Sequence, residues 1–238
     1  MNLPSGFRQS LKRFARGACE TVGVRRYARP ALYGIDRKLE RHLDRDGGVF
    51  IEAGANDGVR QSNTYYFERI RGWTGLLVEP VPELAAECRL NRRASVVAEA
   101  ALVAEEAAGV TVELHVAGLM STVDGALGDA DATARHVAAG REVQKLASVR
   151  TIRVPARTLS ALIDEARIER PIDLLSLDVE GAEVGALQGI DWSRHAPRFI
   201  CIEAREAVGI AAVLDPRYQM VEVLTDIGTH RDLLYARR

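Results

Sequence analysis

Between Phe50 and Gly58 the chain reads Phe-Ile-Glu-Ala-Gly-Ala-Asn-Asp-Gly, a short apolar strand running straight into a turn with an acid, an amide and two glycines. Val49, Phe50 and Ile51 suit a strand buried on both faces, while Gly54 and Gly58 permit a tight turn with close backbone approach. Asn63-Thr64 then opens a helical run that reaches Arg71. A strand, a bare turn and a helix N-terminus form a cradle for an adenosine-type ligand. The plain alternative is a strand-to-helix turn that binds nothing.

Spacing removes two phosphate-centred readings. A P-loop needs Gly-Lys-Ser/Thr five residues after Gly54, where Val59-Arg60-Gln61 stand. A dinucleotide fingerprint needs glycines at 56 and 59, and the chain has Asn56 and Val59. What remains, Glu52-x-Gly54-x-Asn56-x-Gly58, is similar to the Asp/Glu-x-Gly-x-Gly-x-Gly turn of class I S-adenosylmethionine methyltransferases, with Asn in place of the middle Gly. A cosubstrate with a cationic sulfonium and an ammonium group suits a carboxylate such as Glu52 and has no pyrophosphate to bind. A second apolar run, Gly75-Leu-Leu-Val-Glu79-Pro80, ends in an acid 21 residues after Gly58. At the carboxyl end of a parallel strand, Glu79 can accept hydrogen bonds from both ribose hydroxyls. Nicotinamide enzymes share this feature, and a helix cap near Pro82 is its structural alternative.

After position 48, strands alternate with helices, which argues for a mostly parallel sheet with helices on both faces. Strands are expected near 49–53, 75–79, 96–99, 173–177, 198–203, 219–224 and 232–236, with helices near 63–71, 82–92, 157–168, 182–189 and 205–213. The short turn from Thr225 to His230 makes the last two strands an antiparallel hairpin. About 70 residues separate the third strand from Asp173, far more than a compact α/β connection uses. An insertion at about 103–156 is therefore expected, with an edge strand from Val110 to Val116 and a helix over 129–147. Beside the cosubstrate site it would serve as a lid or acceptor pocket.

At 238 residues and 47% hydrophobic side chains, the chain is long enough for one substantial core and short for two. The net charge of −1 hides an asymmetry, because residues 1–45 hold eleven Lys/Arg against four acids. Residues 1–46 read as a basic helical segment ahead of a domain at 47–238, with Phe7, Leu11, Phe14 and Ala18 at helical spacing. Such a segment suits an anionic membrane surface, a nucleic acid, or packing on its own domain or on a second copy in a homodimer. No nucleic-acid motif follows it. Cys19, Cys88 and Cys201 fit neither a disulfide framework nor a zinc site and suit a reducing cytoplasm. No apolar run approaches the roughly 18 residues of a membrane span.

The richest chemistry lies at the fourth strand, Asp173-Leu-Leu-Ser-Leu-Asp178-Val-Glu180-Gly181-Ala-Glu183, which delivers Asp178 and Glu180 to the rim that holds Glu52 and Glu79. The fifth strand, Phe199-Ile-Cys-Ile-Glu203, adds another acid. Acids so close are costly unless something positive sits between them. Helix capping is the alternative role for Asp178 and Glu180. Of the five histidines, His230 and His136 are placed to reach the rim.

Together the segments Glu52 to Gly58, Ser62-Asn63-Thr64, Gly72-Trp73-x-Gly75-Leu-Leu-Val-Glu79-Pro80 and Asp173 to Glu183 with Leu187 resemble the FkbM-type S-adenosylmethionine-dependent methyltransferases over roughly residues 48–236. The resemblance implies a class I methyltransferase fold, a seven-stranded Rossmann-like sheet. It also implies methyl transfer to hydroxyls of sugars, glycans or polyketide-type products. It places the turn with Glu52, Gly54, Asn56, Asp57 and Gly58 at the methionine end, Glu79 at the ribose and Glu99 and Ala100 at the adenine edge, and it adds Asn63, Thr64, Pro80 and Asp178 to the cosubstrate-binding residues. Asp178 faces the transferred methyl, and Asp178, Glu180 and His230 are the candidate catalytic residues. Metal-assisted O-methyltransferases of this topology ligate a divalent ion with acids ending the fourth and fifth strands, the places of Asp178 and Glu203; oxygen ligands suit magnesium. Two other readings stay open. One is an NAD(P)-dependent oxidoreductase, favoured by Glu79 but lacking both the glycine pattern and a Tyr-x-x-x-Lys pair. The other is a non-catalytic nucleotide-binding module.

Overall fold

The computed structural model describes residues 28–205 and 207–238. The amphipathic stretch from Phe7 to Ala18 lies outside the described residues. Helix α1 (Ile35–Glu40) precedes strand β1 (Val49–Ala53), followed by α2 (Tyr65–Arg71), β2 (Thr74–Val78), α3 (Pro82–Asn91) and β3 (Val96–Ala98). Residues 101–157 contribute β4 (Ala101–Leu102), β5 (Thr111–Val116), β6 (Thr122–Val123), α4 (Ala130–Val143) and β7 (Arg150–Arg157). The chain closes with α5 (Leu159–Glu165), β8 (Leu174–Leu177), α6 (Glu183–Gln188), β9 (Phe199–Ala204), α7 (Ala207–Leu214), β10 (Tyr218–Asp226) and β11 (Arg231–Arg237).

Seven strands form the main sheet in the order β10-β11-β9-β8-β1-β2-β3. Strands β3, β2, β1, β8 and β9 run parallel, and β11 enters antiparallel between β9 and β10. Chain order reverses beside β1, where β2 lies on one side and β8 on the other, which opens a crevice at the strands' carboxyl ends. All five residues of β1 are buried because both faces are covered. Val49, Ile51 and Ala53 pack with Leu175, Leu177, Ile200 and Ile202, whereas Phe50 turns to Phe67, Trp73, Leu77 and Leu174.

Local chemistry sets the helix starts. Pro82 occupies the first turn of α3, Thr158 caps α5 by accepting from Ala161 N–H at 3.2 Å, and Asp129 caps α4 through Ala132 N–H at 2.6 Å. The expected strands of the main sheet all form, within about two residues of the expected ends. Between them, residues 101–157 build a second sheet of order β4-β7-β5-β6. The strand read as an edge, near Val110 to Val116, instead lies inside this sheet, paired with β7 on one side and β6 on the other. Its partner β7 escaped the sequence reading because its three arginines and Pro155 mask the alternation that buries Val154 and Ala156. Among the described residues no helix is long and apolar enough to cross a membrane.

Candidate active site

A cavity of about 690 Å³ opens at the carboxyl ends of β1, β2, β8 and β9 and is walled on its far side by residues of the second sheet and α4. Gly54 starts its floor. The residue has φ of +81°, and a Cβ there would lie 1.8 Å from the Asp178 carbonyl oxygen, so the two strand ends touch through backbone alone. Asn56 follows with φ of +50°, a left-handed conformation that asparagine tolerates better than most residues, which explains how it replaces a glycine. Its Oδ1 accepts from Asp57 N–H at 2.9 Å, and its own N–H donates to Glu79 at 2.8 Å.

Glu79 ends β2 with only 5% of its surface exposed. Each carboxylate oxygen holds one backbone N–H, from Asn56 at 2.8 Å and Val81 at 2.9 Å, which leaves acceptor capacity on both. Burial pushes its carboxyl up to about 7, against the pull of those two hydrogen bonds.

Glu52 is engaged by the protein itself. It accepts from Ser62 Oγ at 2.8 Å, Asn63 N–H at 2.8 Å and Thr64 Oγ1 at 2.7 Å, and pairs with Arg92 at 3.3 Å. Its part in the cradle is therefore to shape the 62–64 turn, from which Asn63 reaches across to Ser176 Oγ at 3.1 Å. Arg92, fully buried at the end of α3, binds the same turn from behind through Glu68, Gly58 O, Ser62 and Thr64 at 2.8–3.1 Å.

The opposite half of the cavity is the acid rim. Asp178, Glu180 and Glu203 offer carboxylate oxygens that all lie within 4.8 Å of one another. Asp178 has surface open to the cavity but is otherwise packed in protein. Loss of bulk water, then Glu203 and Glu180, hold its carboxyl well above the ordinary range. Burial likewise pushes Glu180 up to about 8 and Glu203 up to about 7. The positive charge that such a cluster needs is Arg205, whose guanidinium bonds Glu180 and lies 2.9 Å from Glu203. His230 Nε2 sits 3.3 Å from Glu203, and burial lowers its pKa, favouring the neutral ring. Glu183 accepts the N–H groups of Val179 and Gly181 at 3.1–3.2 Å and so fixes the turn that carries Glu180.

The structure thus brings Glu52, Gly54, Asn56, Asn63, Glu79, Pro80, Ala100, Asp178, Glu180, Glu203 and His230 onto one cavity. Four residues expected at the cosubstrate do not line it. Asp57 faces away, accepting from Val59 and Arg60 N–H at 2.9 and 2.7 Å. Gly58 packs against α3, where a Cβ would meet Cys88 Sγ at 2.8 Å, and Thr64 is wholly buried against Glu52 and Arg92. The Glu99 side chain turns outward to Arg89 at 3.4 Å, so of that pair only Ala100 reaches the wall. Sequence reasoning missed Arg92, one of two adjacent arginines at the end of the expected helix near 82–92. It also missed Arg205, although its place two residues after Glu203 was a usable signal.

Strand order, crevice and cavity define an α/β methyltransferase architecture. A family model described as "Methyltransferase FkbM domain" matches residues 52–228, and the chain belongs to the FkbM methyltransferase family. Among curated proteins none matches the sequence. Similar solved structures include a TehB-like SAM-dependent methyltransferase from Corynebacterium glutamicum, with 11% identity over 99% of this chain and 100% of that one and a TM-score of 0.46. Another is a precorrin-6y C5,15-methyltransferase from Geobacter metallireducens, with 11% identity, 86% and 87% coverage and a TM-score of 0.44. A third is Aeropyrum pernix fibrillarin with natively bound S-adenosyl-L-methionine, with 12% identity, 86% and 76% coverage and a TM-score of 0.46. The family assignment displaces the oxidoreductase alternative.

Proposed function

We propose that the protein is an S-adenosylmethionine-dependent O-methyltransferase acting on a hydroxyl of a sugar, an oligosaccharide or a glycosylated natural product. The observation that carries this reading is that the Glu79 cradle and the Asp178–Glu180–Glu203 rim open on one cavity, large enough for a cosubstrate with an acceptor group beside it. The cosubstrate would supply an electrophilic methyl carbon on a sulfonium, open to in-line attack by the acceptor oxygen with the C–S bonding pair leaving on sulfur. Glu79 holds the ribose, Gly54 and Asn56 let the backbone approach the methionine end, and Ala100 meets the adenine edge. Holding two reactants in line is worth on the order of 7–11 kcal/mol, whereas one positioned base contributes a factor of about 10²–10⁴. The cradle therefore contributes more than any single acid. Glu180 and Glu203, with carboxyls near neutrality, and the neutral His230 are the groups suited to take the hydroxyl proton.

Calorimetry with S-adenosylmethionine and its demethylated product, followed by transfer of labelled methyl to a set of methyl hexopyranosides, tests the reading. No heat with either nucleoside would refute it.

A metal-assisted version is favoured by the all-oxygen donor set of Asp178, Glu180 and Glu203, which fits a hard divalent cation such as magnesium. Such an ion would hold and acidify the acceptor hydroxyl. It would also have to displace Arg205 from two of the three ligands. Activity untouched by a chelator, with Asp178→Asn and Glu203→Gln both near wild type, removes this version.

A further inference from the structure

The peptide bond between Glu180 and Gly181 is held from both sides. Glu180 has φ of +54°, a left-handed conformation that a residue with a side chain keeps only where its surroundings impose it. On one side of that peptide, Gly181 N–H donates to the Glu183 carboxylate at 3.1 Å. On the other, the Glu180 carbonyl accepts from Thr122 Oγ1 at 2.8 Å. Thr122 has no exposed surface and belongs to β6 of the second sheet, not to the methyltransferase sheet. Leu127, from the same segment, closes over the turn, since a Cβ on Gly181 would lie 2.4 Å from its Cδ2.

The side chain of Glu180 is reached from that segment as well. His136, on α4, places Nε2 3.3 Å from Glu180 Oε2. The ring is buried, this nitrogen makes no hydrogen bond, and a hydrogen bond to the Met120 backbone fixes the ring's direction. Arg205 approaches the same oxygen from the end of β9. The carboxylate is thus bonded by a group of the main sheet and faced by the His136 ring of the second.

We propose that Thr122 is a positioning residue that aims Glu180 at the reacting hydroxyl, so that residues 101–157 complete the acid rim instead of only covering it. The clamp on the peptide decides which way the Glu180 side chain leaves the backbone. This rests on the reading of Glu180 as a group of the reaction site.

Thr122→Val and Thr122→Ser separate the donor from the packing, because valine keeps the shape without the hydroxyl and serine keeps the hydroxyl. In the full chain, Thr122→Val is expected to speed hydrogen exchange at Gly181 N–H by about tenfold while the β1 amides stay unchanged. Methyl transfer to the methyl hexopyranosides falls by about 10- to 100-fold, as a small misplacement of a reacting group produces. Affinity for S-adenosylmethionine stays within about twofold, and Thr122→Ser behaves as wild type on all three readouts. Unchanged Gly181 exchange in Thr122→Val, or transfer within about twofold of wild type, overturns the proposal. If wild-type protein methylates none of these sugars, the acceptor reading has failed, and Gly181 exchange in the valine and serine variants alone decides the clamp.

Discussion

Replacing Arg92 by methionine keeps most of the side-chain stem and removes the guanidinium that joins Glu52, Glu68 and the 58–64 loop. Glu52 would retain its donors from Ser62, Asn63 and Thr64, and Glu68 its bond from Ser95 Oγ at 2.6 Å. Neither carboxylate would retain the cation, and both are buried. Removing one partner of a buried pair costs about 3–5 kcal/mol, against a total stability of about 5–15 kcal/mol. For a domain of this size each kcal/mol moves Tm by about 2–4 °C, so Arg92→Met should lower Tm by about 6–20 °C. Thermal melts and urea unfolding of the full chain measure this directly. The double variant Arg92→Met/Glu68→Gln no longer buries the second charge and should recover about 0.5–3 kcal/mol of the loss. Its affinity for S-adenosylmethionine should stay weakened, because the bonds to Gly58 O, Ser62 and Thr64 are still missing. A Tm within about 2 °C of wild type for the single variant, or a double variant no more stable than the single, would refute the argument.

Gly54→Ala places a methyl group 1.8 Å from the Asp178 carbonyl oxygen at a φ of +81°, and it should abolish cosubstrate binding in calorimetry; binding within about threefold of wild type would show that the close approach is dispensable. Asn56→Gly should leave Tm nearly unchanged, whereas Asn56→Ala forces alanine to φ of +50° and should cost about 1–2 kcal/mol in urea unfolding. Glu79 has a folded-state pKa raised from 4.5 to about 7, so the stability it contributes is present below about pH 4.5 and is lost as pH rises through about 7. Ligand-free wild type should therefore lose stability between pH 5 and 8, and Glu79→Gln should lose less; parallel urea midpoints for the two proteins across that window would contradict the assignment.

The centre of the main sheet was legible because β1, β2, β8 and β9 are apolar runs bounded by Gly, Pro or an acid and buried on both faces. Glu79, Asp178 and Glu203 were legible for the same reason, since the residue that ends a buried parallel strand must point to the crevice. The second sheet resisted because it buries little: β7 keeps Arg150, Thr151, Arg153 and Pro155 exposed, and only Val154 and Ala156 carry the signal. Asp57, Gly58 and Thr64 belong to a motif whose spacing is set as much by packing under the loop as by contact with a ligand. Sequence shows the motif but not which side of the turn each side chain takes. Arg92 is a polar position whose partners Glu52, Glu68 and Thr64 lie in other elements, and no local pattern announces such a pairing.

The acid rim shows why both arginine and cosubstrate matter to the chemistry. Asp178, Glu180, Glu203 and Asp232 line one cavity, yet Arg205 is the cation placed between them, bonded to one acid and 2.9 Å from another. Loss of solvation raises all four carboxyl pKa values, Glu180 to about 8 and Glu203 to about 7, so near neutrality these two retain protons that isolated carboxyls would have released. An acid that is already protonated cannot take the proton of an acceptor hydroxyl. On the proposed reading, a sulfonium beside Asp178 is the second cation the rim lacks, and its charge favours the ionised form of every acid near it. Cosubstrate binding would then favour the ionised carboxylate that can take the hydroxyl proton. That coupling predicts release of protons when S-adenosylmethionine binds at pH 7, larger than for its uncharged-sulfur product. Calorimetry in buffers of different ionisation heat measures it, and equal proton release for the two ligands would show that the sulfonium does not face the rim.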